Sequence, residues 1–119
     1  MGEDAKWMTQ IRRGALELCI LSILGRGKRY GYDIVQALTE ADGLVIGEGT
    51  IYPLLNRLKH EGLVDAEWQS SPQGPQRKYY TLTPKGETRL MRMRDEWQRF
   101  ATDVERLLGR QGDEGGERG

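Results

Sequence analysis

The chain is expected to be mainly α, with a small β-hairpin and a long C-terminal helix, and three patterns in its 119 residues point there. Between Gly49 and Gly62, the residues Ile51, Leu54, Leu55 and Leu58 form an apolar stripe at helical period. Directly after it, Val64, Ala66 and Trp68 alternate with Asp65, Glu67 and Gln69, and Arg77 to Leu82 reads as a returning strand. Towards the end, Leu90, Met93, Trp97, Phe100, Val104 and Leu107 repeat in steps of 3, 4, 3, 4 and 3, the a/d seam of a packing helix.

Taken in order, residues 1–5 are short, polar and expected to be loose, ahead of a folded region at 6–83. Lys6 to Leu24 is dense in apolar residues and reads as a long helix ended by Gly25. Its second half is apolar nearly all round and belongs in the core. The first half has a narrower stripe, Met8, Ile11, Ala15 and Leu18, which wants a partner helix. Tyr30-Gly31-Tyr32 opens the next helix, with Asp33 in its first turn favouring the dipole and Ile34, Val35 and Leu38 facing inward. Asp42-Gly43 stops it, and Leu44 to Ile46 is long enough only for a stub of strand.

In the Gly49–Gly62 helix, Pro53 has no N–H and fits the first turn, with Gly49 or Thr50 as N-cap. Gly62 suits the C′ position. Two short helices joined by a brief turn make a helix-turn-helix, and the hairpin that follows makes its wing. A lone hairpin is marginal in water, so the wing must pack on the helices. Thr83-Pro84 is an N-cap with an N1 proline, and the last helix runs over 84–108, about 37 Å at 1.5 Å per residue. Residues 109–119 are Gly- and charge-rich and expected to be disordered.

Eighteen basic and eighteen acidic residues cancel, so a phosphate-binding surface must be local. Without the tail from Gln111 the count is 17 basic against 15 acidic. Candidate basic patches are Arg57-Lys59-His60, Arg77-Lys78, Arg26-Lys28-Arg29 and Arg12-Arg13. One cysteine, Cys19, and one histidine exclude an intrachain disulfide and an ordinary zinc site. No membrane span or signal peptide is visible, and a cytoplasmic, reducing setting is expected. With no nucleophile–base constellation, phosphate loop or metal cluster, an enzyme is excluded and no cofactor is expected.

The outward face of the Gly49–Gly62 helix carries the residue types that suit base edges and phosphates in a major groove. Thr50, Tyr52, Asn56, Arg57, Lys59 and His60 are the candidates there, joined by Arg77 and Lys78 of the wing. Asn56 and Arg57 suit adenine and guanine, and Lys59 and Lys78 suit phosphates. Tyr52 has a second reading, packing against Tyr32, and Tyr80 shares the strand face of Leu82 and reads as core.

The six-residue seam from Leu90 to Leu107 would form an apolar patch larger than a monomer usually tolerates. Either the last helix folds back on its own domain, or the seam, with Met8, Ile11 and Ala15, binds a second copy. A two-fold homodimer would set two reading helices about 34 Å apart, one turn of DNA, as a palindromic site requires.

Together these residues resemble the PadR-like transcriptional regulators, in the short subfamily with a single C-terminal dimerisation helix. The resemblance rests on Gly14 to Leu18 with Ile20-Leu21, Tyr30 to Ile34, Gly49 to Leu55 with Arg57-Leu58 and Glu61 to Val64, and Arg77 to Thr83 with Gly86. It spans roughly residues 10–108. It implies a winged helix-turn-helix homodimer that represses by binding palindromic operator DNA and is released in many members by a small aromatic or cationic effector. On that reading Trp97 and Phe100 would sandwich a flat ligand, with Trp7 and Met8 of a second copy as the opposite wall. Asp95, Glu96 and Asp103 would favour a cation. The competing reading is a protein-interaction module on the same scaffold, without DNA binding.

Overall fold

The computed structural model describes residues 2–40, 48–71 and 74–109. Along the chain run α1 (Gly2–Leu24), β1 (Arg29–Tyr30), α2 (Gly31–Glu40), α3 (Glu48–His60), β2 (Val64–Ser71), β3 (Gly74–Leu82) and α4 (Pro84–Leu108). The turn at Asp42-Gly43, the stub at 44–46, the wing tip at 72–73 and the tail at 110–119 lie outside the described residues.

Helical spacing puts Leu16, Ile20, Leu21 and Leu24 of α1 on one face, and all four are buried. Against them pack Ile34, Val35 and Leu38 of α2 and Ile51, Leu55 and Leu58 of α3, with Leu63, Val64 and Tyr80 of the sheet closing the core. The expected stripes of α2 and α3 are therefore the observed inward faces. α1 begins at Gly2, earlier than the expected Lys6, so the stretch expected to be loose is helical from Gly2 onward.

The hairpin is wider than expected. β2 and β3 pair antiparallel from Val64↔Leu82 to Ser71↔Gly74, with an irregularity between Gln69 and Ser71. A third strand joins them: Arg29 pairs with Tyr80 and Tyr30 with Tyr79, giving the order β1-β3-β2. Tyr30 therefore ends a strand rather than opening α2. Pro53 is also displaced from its expected place. Because α3 starts at Glu48, Pro53 falls in the second turn, where it cannot donate to the Gly49 carbonyl. Both residues are exposed, so water can satisfy that carbonyl.

α3 ends in a Schellman motif. Gly62 takes φ +82°, a conformation that favours glycine. Its N–H donates to the Lys59 carbonyl at 3.0 Å, and the Leu63 N–H donates to Leu58 at 2.9 Å. The chain then enters β2, returns along β3, and meets the same point again at Thr83. There the Thr83 N–H donates to the Leu63 carbonyl at 3.1 Å, and its hydroxyl donates to the Gly62 carbonyl at 2.7 Å. The same hydroxyl oxygen caps α4 by accepting from the Gly86 N–H at 3.0 Å.

α4 splits the expected seam in two. Leu90 is only 5% exposed and belongs to the core of its own domain, and Met93 packs against that core. In the single chain the first turns of α4 therefore lie on the domain that carries them. Beyond Met93 most of the seam is uncovered, with Trp97, Phe100 and Leu107 exposed, Leu107 to 87%, and Val104 half-buried.

Candidate nucleic-acid interface

Successive residues of a helix lie about 100° apart, so burial of Ile51, Leu55 and Leu58 fixes the direction of every other side chain on α3. Tyr52, Asn56, Lys59 and His60 form one stripe, turned towards the wing. Thr50, Arg57 and Glu61 form the opposite flank, turned towards α1. The eight residues expected to touch nucleic acid are therefore not one surface.

Four of them meet. Tyr52, Asn56, Arg77 and Lys78 line a cleft of about 550 Å³ between α3, the start of α2 and the wing. Tyr30, Gly31, Tyr32, Trp68, Gln76 and Tyr80 complete its wall, and no carboxylate lines it among the described residues. The strand alternation explains the wall. Trp68 pairs with Lys78 across the ladder, so both share the face of Tyr80, which points at the helices. Tyr80 itself is 2% exposed, as expected of a core residue. Its burial, and then the nearby Tyr52, push its phenol pKa up.

Sequence reasoning passed over Trp68, which is 62% exposed on this inner face. An aromatic in an alternating strand reads as packing, and only the register shows it facing the cleft. The Lys78 ammonium sits 5.5 Å from the Trp68 ring centre and 5.9 Å from that of Tyr80. At the rim, Tyr30 stacks on Tyr79 with centroids 3.9 Å apart, Lys28 lies 4.7 Å over Tyr79, and Arg77 lies 5.0 Å over Tyr30. A side-chain hydrogen bond with Tyr30 is the largest cause of a raised pKa at Tyr79. Exposed cation–π contacts are worth about 0.5–1 kcal/mol, enough to orient these cations and too little to withhold them from a phosphate.

Arg57 is placed differently. Its guanidinium donates to Glu17 of α1 at 3.1 Å and to Glu61 at 2.8 Å. The hydrogen bonds it donates to Glu17 first and Glu61 second raise its pKa, and an arginine is charged at any working pH. Two carboxylates hold it on the flank away from the cleft. Thr50 is exposed on that same flank. Lys59 and His60 are exposed in the last turn of α3, where a cation also favours the helix dipole.

Of the residues expected to hold an effector, Trp7 and Met8 are expected from a second copy, so the single chain brings together only Trp97 and Phe100. Trp97 and Phe100 have centroids 6.3 Å apart at 49°, a tilted contact that leaves no parallel slot between them. Met8 and Trp97 line a cavity of about 690 Å³ between α1, α2 and α4, while Trp97 and Phe100 line a smaller one of about 410 Å³ with Ile11, Ala15 and Met93. Trp7 lines neither and is exposed. Arg12, Arg26 and Arg94 line the larger cavity, and no acid does among the described residues. Arg12 Nε is buried there without a hydrogen-bond partner among the described residues. Asp103 pairs with Arg106 at 3.4 Å, and Glu96 lines the smaller cavity. Cys19, part-buried at the larger cavity, has its thiol pKa raised by desolvation.

The profile of the transcriptional regulator PadR-like family matches residues 20–92, from α1 through the wing into α4. The chain belongs to the PadR-like family. A transcriptional regulator of Mycobacterium tuberculosis is 32% identical over 97 residues, 82% of this chain and 89% of that protein. Among solved structures, a PadR family transcriptional regulator from Eggerthella lenta shares 34% identity with a TM-score of 0.80, covering 90% of this chain and 93% of its own. A PadR-like regulator from Bacillus cereus shares 38% identity at a TM-score of 0.76, covering 83% and 96%. PadR-like proteins are transcriptional regulators, and this chain is a regulator rather than an enzyme. No described helix is long and apolar enough to cross a membrane.

Proposed function

We infer that this PadR-like regulator represses transcription by binding a palindromic operator as a homodimer. The carrying observation is the cleft that gathers Tyr52, Asn56, Arg77 and Lys78 with no acid on its wall among the described residues. α3 presents Asn56 to a base edge in the major groove, and the wing sets Arg77 and Lys78 against the flanking phosphates. The uncovered half of α4, from Trp97 to Leu107, packs against a second copy, with Met8 and Ile11 of α1 beside it. A gel shift against DNA flanking its own gene, at two salt concentrations, tests this. Specific binding that weakens with salt supports it, and no shift at either salt would favour a protein-interaction module instead. Within the complex, Asn56→Ala is expected to relax preference at one base position by about 1–3 kcal/mol. Lys78→Ala should instead weaken all sequences alike and lower the salt slope by about one.

The larger cavity is the effector site on this reading, and its three arginines select an aromatic acid over a cation. Trp97 fluorescence in a Trp7→Phe/Trp68→Phe background checks the choice. Quenching by an aromatic carboxylate and none by a cationic dye is expected, and the reverse order would overturn it.

A further inference from the structure

The flank of α3 turned from the cleft carries a chain of alternating charges. Arg89 of α4 donates to one oxygen of Glu17 at 2.8 Å, Arg57 of α3 donates to the other at 3.1 Å, and Arg57 also holds Glu61 at 2.8 Å. Glu17 belongs to α1, so one carboxylate ties three helices that are far apart in sequence. Its side chain is 16% exposed and that of Arg89 28%, so this end of the cluster is partly shielded, while the Arg57 end, 50% exposed, is screened by solvent. Two arginines and two glutamates cancel, so the cluster offers no net charge to a phosphate.

We propose that Glu17 is a brace locking α3 against α4, and that Arg57 positions the DNA-facing helix through it rather than reading a base. The inference rests on the DNA-binding reading above and concerns a flank of α3 that this reading does not use. The physical reason is directional. α3 is fixed to the core along Ile51, Leu55 and Leu58, a single line of apolar contacts that resists withdrawal better than rolling. A charged strut on one flank opposes that roll, and rolling by a fraction of a turn would carry Asn56 out of line with a base edge. α4 is the element with the uncovered apolar half, so the same strut sets the angle between the DNA-facing helix and the surface assigned to the second copy.

Operator binding by the full-length protein separates a brace from a DNA contact. Glu17→Gln, Arg57→Ala and the double variant are titrated with operator and with unrelated DNA across a salt series, at a temperature where all three are folded. Each single variant should lose roughly tenfold in operator affinity while its affinity for unrelated DNA holds. The salt slope should stay unchanged, and the double variant should be no worse than the weaker single one. Glu17→Gln is the decisive case, because it removes no cation. A direct Arg57 contact requires the opposite: Glu17→Gln would release Arg57 and tighten binding, and Arg57→Ala would lower the salt slope by about one. Either result overturns the brace, as does full operator affinity in both single variants. If the unaltered protein bound no operator, the DNA reading would fall by itself. The melting temperatures of the same four proteins would still decide the brace, with additive losses counting against it and a shared loss supporting it.

Discussion

Gly86→Ala is expected to destabilise the domain by about 3 kcal/mol or more, a large share of the stability of a chain this size. A methyl built on Gly86 would lie 2.1 Å from the Leu63 carbonyl oxygen and 2.8 Å from a methyl of Leu82. The first obstacle is backbone, in a segment pinned by hydrogen bonds from Thr83, so no rotamer change relieves it. α4 would have to lift from Leu63 and take Leu90 out of the core with it. Thermal unfolding followed by circular dichroism should show a fall of roughly 10–20 °C. Gly49→Ala is the control, since its added methyl meets nothing within 4 Å. If Gly86→Ala melted together with Gly49→Ala, the close approach of α4 to Leu63 would not exist in solution.

Phe100→Glu with Leu107→Glu should give a folded monomer that no longer holds its operator. Both side chains are exposed in the single chain and outside its buried core, so little beyond the Phe100 contact with Trp97 is lost and the helical content should persist. Burying an apolar side chain of this size is worth about 1.5–3 kcal/mol, and each interface of two-fold symmetry buries every such residue twice. Two buried carboxylates per copy reverse that gain. Light scattering should report about 13.6 kDa in place of twice that mass. Operator affinity should fall by about 10²–10⁴-fold, because the second half-site is then no longer tethered to the first. A doubly substituted protein that stayed dimeric would move the interface off α4.

The parts of this fold governed by local periodicity were legible in the sequence. The inward stripes of α2 and α3, the alternation of the wing, the Schellman glycine at 62 and the capping threonine at 83 all follow from spacing and residue type. What escaped was decided by partners distant in the chain. β1 is two residues long and exists only because Arg29 and Tyr30 pair with Tyr80 and Tyr79, so no pattern within it could announce it. The seam of α4 was visible as a repeat, but a repeat does not say whose surface it meets. Leu90 and Met93 turn to their own domain, while Phe100 and Leu107 do not. Arg57 was correctly placed on the polar side of α3, yet its partner Glu17 stands forty residues earlier. The basic lining of the larger cavity escaped for the same reason: Arg12 of α1, Arg26 of the turn that follows it and Arg94 of α4 come together only in the fold.

The junction at Leu63 has a mechanical consequence. α3 ends there, the wing begins and returns there, and α4 is seated on its carbonyl. That point is therefore a fulcrum, and α4, about 37 Å long, is the lever arm. A tilt of about 5° at the pivot moves the far tip by about 3 Å, by the same geometry. An agent lodged beside Arg94 and Trp97 would need to displace the arm only slightly to change the span between two paired molecules, and a DNA duplex of fixed pitch would register that change as lost fit.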